Sequence, residues 1–371
     1  MPFRIICKKP ENTMQRRQFM SGAGVAAMLP LSGAMAADLP AVRWRLASSF
    51  PKSLDTIYGA AETLSKRVAA LTGGKFQIRV FAGGELVPGL QVLDAIGNGT
   101  AECGHSAGYY YVGKNMALAF DTALPFGLTA RQQNAWMLAG GGLAAMRKVY
   151  AQYGVMQFPG GNTGTQMGGW FRREIKSLAD LKGLKIRIPG IGGKIMARLG
   201  AVPQTLPGGD IYPALERGAI DAAEWVGPYD DEKLGFYKIA PHYYYPGWWE
   251  GGPELDFFIN NKAFEALSPE NKAIVEAAAA QAHSDMQAKY DARNPGALKQ
   301  LVGAGTKLHP FPKDVMNAAF KAAMGLYEEL NAKNENWRKV YADYSKFRAE
   351  QNLWFRFTEA TFDRFMQEQK L

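Results

Sequence analysis

Two acidic residues in this 371-residue chain each sit beside tryptophan where an apolar run ends. Glu224 closes AIDAAE and stands before Trp225 and then Val226-Gly227-Pro228, while Glu250 follows Trp248-Trp249 and precedes Gly251-Gly252. Carboxylate oxygens gathered with amide and main-chain oxygens are the ligands that a hard cation such as sodium or calcium takes. The alternative is that both are surface acids on rim loops. Arg187 poses a similar choice, because in LKGLKIRIPG it lies between Ile186 and Ile188 just before a Pro-Gly exit. It either turns to solvent opposite the isoleucines or aims a planar fork at a carboxylate through two parallel charge-assisted bonds. GGNTGTQMGGW (160–170) presents Asn162, Thr165 and Gln166 among glycines that let backbone approach a ligand closely. The same stretch reads equally as a flexible turn.

Motifs for turnover are weaker. GHSAG (104–108) formally matches a nucleophile elbow at Ser106, with His242, His283 and His309 as downstream bases. An elbow needs a helix directly after its serine, and YYYVGKN starts one poorly. There is no H-E-x-x-H, no pair of neighbouring cysteines and no G-x-G-x-x-G after a strand. His105 is the one histidine near a plausible cleft, and a single histidine does not make a zinc site. The sequence therefore favours binding over catalysis, with an exported serine hydrolase using Ser106 as the alternative.

The elements that must position these residues begin after a leader. Residues 15–20 read QRRQFM, followed by a weakly apolar stretch and Ala34-Met35-Ala36 as an A-x-A cleavage site. A signal peptide over 1–36 is expected, of the twin-arginine type; Gln15 in place of Ser or Thr keeps the Sec route open. The mature protein is then periplasmic. Cleavage after Ala36 leaves 38 basic and 33 acidic side chains, a net +5 against +9 for the whole chain, with no basic tract. Nucleic acid has no footprint here. Cys7 departs with the leader, so Cys103 forms no intrachain disulfide and reads as a small buried hydrophobe.

The mature chain is long enough for two lobes. VRWRLASSF (42–50) alternates as a strand, a helix follows at about 55–71, KFQIRVF begins a second strand, and a third lies near 101–104. A long helix is expected over about 129–153. This β-α-β-α order implies an α/β lobe with a mostly parallel sheet. A second series starts near 155 and has a helix at about 192–200. PGLQVLDAIGNGTAECGHSAGYY (88–110) lies over PGGDIYPALERGAIDAAEWVGPY (207–229) at an offset of 119, which pairs His105 with Glu224 at equivalent strand ends. Ligands of open α/β sheets sit outside such ends. The last sixty residues read as helical, and Phe320, Tyr327, Trp337, Tyr341, Tyr344, Phe347, Trp354 and Phe357 are too many aromatics for a solvated tail. They must pack on a lobe or on a second chain.

KSLADLKGLKIRIPG and LGAVPQTLPGGDIYPALERGAIDAAEW together resemble the periplasmic solute-binding subunits of TRAP transporters, the DctP-like family. PFGLTARQQNAWMLAGGG with GWWEGGPELDFFINNKAF is similar to the branch that binds 2-oxo acids or lactate. The resemblance covers essentially the whole mature chain. It implies a two-lobed α/β periplasmic binding protein fold, type II-like, with crossing hinge strands and a long C-terminal helix. Lobe I would take 38–162 with about 253–293, and lobe II 163–252 with about 294–335. A helical extension over about 336–371 would serve as a dimerisation element.

The resemblance also implies that Arg187 binds a substrate carboxylate and that Gln166, Glu224 and the Trp225 carbonyl coordinate a cation, Na+ or Ca2+, with Glu250 as a further ligand. Asn162 and Tyr110 match ligand-contacting positions. The implied ligand is a small acid such as pyruvate or lactate, held without an organic cofactor, and the implied partners are a membrane permease and a second copy of the chain. A periplasmic sensor with the same fold would share the cleft.

Overall fold

The computed structural model describes residues 41–369, so the expected signal peptide over 1–36 lies outside the described residues. The chain builds two sheets. The first opens with β1 (Val42–Ser48), whose Trp44 and Leu46 point inward while Arg43 and Arg45 are exposed. Helix α1 (Ile57–Leu71) buries Ile57, Ala61, Leu64 and Val68, a helical stripe that covers the sheet. Then follow β2 (Phe76–Phe81), α2 (Val92–Gly97) and β3 (Cys103–Ser106). Helices α3 (Ala130–Ala139) and α4 (Gly142–Ala151) lead to β4 (Val155–Asn162).

The chain crosses after β4 and builds the second sheet from β5 (Trp170–Phe171), β6 (Lys185–Arg187), α5 (Gly190–Arg198), β7 (Val202–Gln204), α6 (Gly208–Glu216), β8 (Ala222–Ala223), α7 (Pro228–Leu234) and β9 (His242–Tyr245). It returns at β10 (Glu254–Asn260), which pairs antiparallel with β4 so that Glu254 faces Asn162. The outgoing and returning segments therefore run side by side. After α8 (Asn261–Glu265), the 35-residue α9 (Pro269–Gly303) packs along α1 and β4 and then against α7. Strand β11 (Lys307–Pro310) joins the second sheet, and α10 (Lys313–Lys333), α11 (Glu335–Phe357) and α12 (Glu359–Gln367) follow.

The expected internal repeat is visible in the topology. The first sheet runs β2-β1-β3-β10-β4 and the second β7-β6-β8-β5-β9-β11. In each the first three strands are parallel, and the fourth is antiparallel to both neighbours. The matched segments at offset 119 supply α2 and β3 in one sheet and α6 and β8 in the other, the third strand each time.

One expected helix is wrong. The stretch 129–153 is two helices, broken at Gly140-Gly141, where Gly141 has φ +88°. Packing explains the break: a Cβ on Gly140 would lie 2.8 Å from the Phe347 ring, and one on Gly142 would lie 2.6 Å from Trp136. The glycines let the turn close over these aromatics. The tail is also segmented, at Asn334 and Thr358.

Candidate binding site

Side chains at the ends of β6, β8 and the two crossings meet between the sheets. Arg187, the last residue of β6, is buried rather than turned to solvent. Its Nε donates to the Leu206 carbonyl at 3.1 Å, one terminal nitrogen donates to the Glu224 carbonyl at 3.0 Å and also to the Glu224 carboxylate, and the other has no protein partner. The guanidinium lies 5.1 Å over the Trp225 ring, and the Tyr110 phenol lies against it. β6 and β8 are parallel neighbours, with Arg187 opposite Ala223. That register puts Glu224 beside the arginine one step past the strand end.

Glu224 and Glu250 are both buried, which rules out the surface-acid reading. Burial pushes the Glu224 carboxyl up to about 7, against the pull of Arg187. It raises Glu250 well above the usual carboxylate range, and the nearby Glu224 charge adds to this. One carboxylate oxygen of each acid lacks a partner, as does Gln166 Oε1. Gln166 is fixed on both sides of the crossing: its amide N–H donates to the Glu250 carbonyl at 3.1 Å, its carbonyl accepts from Gly247 N–H at 2.9 Å, and Nε2 donates to Thr163 Oγ1 at 3.0 Å. Arg187, Glu224, Glu250 and Gln166 thus form one buried polar layer.

A small cavity adjoins that layer, walled by Tyr109, Tyr110, Gln166 and Trp225 with Phe50 and Thr163. Of the expected site residues, Tyr110, Gln166 and Trp225 line it directly. Arg187, Glu224 and Glu250 touch its wall without lining it. Asn162 is buried and committed to the crossing, since Nδ2 donates to the Gly252 carbonyl at 3.0 Å and Oδ1 accepts from Gly164 N–H at 2.9 Å. It braces the outgoing segment to the returning one. Thr165, by contrast, is exposed. Tyr109 was missed by sequence reasoning although it walls the cavity and its hydroxyl faces Glu250. Its signal, three tyrosines two residues beyond a strand end, was legible.

The residues of the hydrolase reading do not assemble. Ser106 is buried, with its Oγ 2.7 Å from Ser49 Oγ and 2.9 Å from the Tyr111 hydroxyl. A 3-10 turn at Gly108–Tyr111 follows it instead of a helix. His105 is not in the cleft: it packs among Phe50 and Phe257, with Nε2 on the Gly160 carbonyl at 3.0 Å, and burial lowers its pKa to about 4. His283 lies against Gly161 N–H and Asn134, and His242 pairs with His309 where β9 meets β11.

Two matching α/β units, joined by adjacent crossing segments and enclosing a buried charged layer beside a small cavity, define a ligand-capturing binding protein. The chain belongs to the DctP family, described as bacterial extracellular solute-binding protein, family 7, whose model matches residues 47–334. Members are receptors for solutes and not enzymes, which closes the hydrolase alternative. A relative from Nostoc sp., named as a monocarboxylate 2-oxoacid-binding periplasmic protein, is 52% identical over 95% of this chain and 99% of its own length. Solved TRAP solute-binding proteins are similar throughout. One from Bordetella bronchiseptica is 55% identical with a TM-score of 0.87, covering 88% of this chain and 97% of that one; it is a mixed-occupancy dimer with copurified calcium and picolinate in one site and an apo site. One from Pseudoalteromonas atlantica is 39% identical with a TM-score of 0.85, covering 89% and 100%, and holds sodium and pyruvate. One from Colwellia psychrerythraea is 40% identical with a TM-score of 0.84, covering 87% and 98%, and holds calcium and pyruvate.

Proposed function

We propose that this protein is the periplasmic subunit of a TRAP transporter, exported through an N-terminal signal peptide, and that it captures a small 2-oxo or 2-hydroxy monocarboxylate together with Na+ or Ca2+. The observation that carries this is the buried layer itself. Three side-chain oxygens, on Gln166, Glu224 and Glu250, and one guanidinium nitrogen of Arg187 are buried together without partners. Buried groups of this kind are normally satisfied, so each orphan needs an explanation.

The donor set fits a hard cation. Among the described residues no three His, Cys, Asp or Glu side chains converge on one point. A cation here therefore draws on the amide oxygen of Gln166, the carboxylates of Glu224 and Glu250 and the Trp225 carbonyl, an all-oxygen set of the type calcium and sodium take. When bound it neutralises the acids and offers an electrostatic hold on the ligand's oxygens. Arg187 keeps two nitrogens on the Leu206 and Glu224 carbonyls and presents the remaining one to the ligand carboxylate. Trp225 and Tyr109 supply apolar walls, and Tyr110 a hydroxyl at the guanidinium. Closure of lobe I (38–162 with about 253–293) on lobe II (163–252 with about 294–335) removes water, and the low dielectric strengthens every one of these contacts. The loaded protein then docks on the membrane permease.

The test is a thermal-shift panel of pyruvate, longer 2-oxo acids, lactate and unrelated acids, with and without each cation. A stabilisation that needs both a 2-oxo acid and a cation is expected. Arg187→Ala should abolish the ligand-dependent shift while the protein remains folded. Unchanged affinity in that variant would sink the assignment.

A further inference from the structure

The sequence after Trp225 carries two acids side by side, Asp230 and Asp231, on the short helix α7, and the structure ties them to opposite units. Asp231 belongs to the second sheet, where its Oδ2 accepts from Trp170 Nε1 at 2.9 Å on β5 and from the Tyr243 hydroxyl at 2.7 Å on β9. Asp230 reaches the other way. Its Oδ1 accepts from Thr56 Oγ1 at 2.5 Å, in the loop that leads into α1, and its Oδ2 accepts from the Tyr290 hydroxyl at 2.6 Å on α9. Thr56, Asp230 and Tyr290 are all buried.

Outside them lies a partly exposed cluster centred on Asp55. It accepts from the Tyr229 hydroxyl at 3.1 Å, from Arg293 at 2.5 Å and from Lys233. Lys233 Nζ and Arg293 Cζ lie over the Tyr229 ring at 3.7 and 5.0 Å. Two residues of the first unit therefore grip consecutive positions of a helix anchored in the second. Helix α9 has Pro295 next to this point, and a proline inside a helix lacks the N–H of one backbone bond and weakens that turn.

We propose that Asp55 and Thr56 form a latch across the cleft that sets the lifetime of the closed, loaded protein. The proposal rests on the binding function given above. Parting the units exchanges the Thr56 hydrogen bond for water and dismantles the Asp55 cluster. The exposed pairs alone hold weakly, so the buried Thr56–Asp230 bond to an ionisable acceptor is the larger element.

The test uses the full mature chain with calcium and pyruvate as the probe. Tryptophan fluorescence in stopped flow gives the release rate, and spin labels at Glu85→Cys and Asp210→Cys, exposed on opposite lips, give the distance across the cleft. Thr56→Val should speed release about tenfold with association unchanged, as loss of one hydrogen bond to a charged group implies. Asp55→Asn should speed it about threefold, and Thr56→Ser should behave as wild type. In both weakened variants the label distances should shift to longer values. Wild-type release rates and unchanged distances in both would overturn the latch. If wild type failed to bind pyruvate, the binding function would fall, while the label distances would still decide the latch.

Discussion

At the scale of single residues, the charge balance around Arg187 makes a specific prediction about the cation. Two buried carboxylates face one guanidinium, and a ligand carboxylate adds a further negative charge. A divalent cation brings that set to neutrality, whereas sodium leaves it one charge negative in a medium where uncompensated charge is expensive. Calcium should therefore support tighter pyruvate binding than sodium, by about tenfold or more given energies of several kcal/mol for close charges at low dielectric. Glu250→Gln, which removes one negative charge but keeps an oxygen, should narrow or invert that preference in calorimetric titrations.

A second residue-scale prediction concerns three acids outside the site. Asp121, Glu254 and Asp256 are buried together beside Tyr150 and Gln157. Asp256 accepts from Gln157 Nε2 at 2.5 Å and from the Tyr150 hydroxyl at 3.4 Å, while neither oxygen of Glu254 has a partner. Arg147 places its Nε on the Gln157 carbonyl rather than on these acids. Burial pushes Asp121 up to about 7 and raises the other two well above the carboxylate range. A raised pKa means that the folded protein binds protons which the unfolded chain has released. Stability from this cluster is thus full below the ordinary carboxylate pKa and lost as pH rises through about 7. Urea denaturation should show stability falling from pH 5 to pH 8, with at most about 1.4 kcal/mol per pH unit for one proton. Asp121→Asn should flatten part of that slope.

At the scale of elements, the sequence was most legible where spacing forces a single answer. The stripe of α1, the alternation of β1 and the turn grammar shared by 88–110 and 207–229 all appeared in the fold. Arg187 was not legible from periodicity, because a three-residue strand ending at a cleft alternates the same way whichever face meets solvent. Only the neighbouring unit decides that. The pairing of Glu224 with Glu250 was legible from two acids each beside tryptophan, but the place of Gln166 with them was implied by the family resemblance, since the crossings that bring positions 166, 224 and 250 together leave no local pattern. Asp230 lies in the first turn of α7, where a negative charge is favourable anyway, so nothing in the sequence marks its reach to Thr56.

The missed break at Gly140-Gly141 has a different cause, long-range packing of Phe347 and Trp136. It carries its own prediction. Gly141→Ala places a side chain at φ +88° with open space around it, so it should cost about 1–2 kcal/mol from backbone strain alone. Gly142→Ala meets the Trp136 ring at 2.6 Å and should cost about 1–3 kcal/mol from overpacking. Denaturant midpoints of the two variants, with unchanged slopes, would check both values.

At the scale of the whole molecule, the aromatic tail divides into two parts with different jobs. Trp337 and Tyr344 of α11 are buried against the body of the protein: the Trp337 ring lies 4.5 Å from Phe120, that of Tyr344 lies 5.1 Å from Trp136, and the Tyr344 hydroxyl accepts from Leu128 N–H at 3.1 Å. This anchors the first half of α11. Beyond it, Leu353, Trp354, Phe357, Phe362 and Phe365 are between 58% and 69% exposed. Exposed apolar groups clustered in this way mark an association surface, and the Bordetella bronchiseptica protein is itself a dimer. The prediction is a homodimer held through the ends of α11 and α12, none of whose residues line the cavity. Phe357→Glu combined with Phe362→Glu should convert it to a monomer in light scattering while leaving pyruvate and calcium affinity unchanged. A dimer that survives both substitutions would show that the tail covers itself in some other way. A monomer that also lost ligand affinity would mean that association and capture are coupled, as they would be if a neighbouring copy restrained cleft opening.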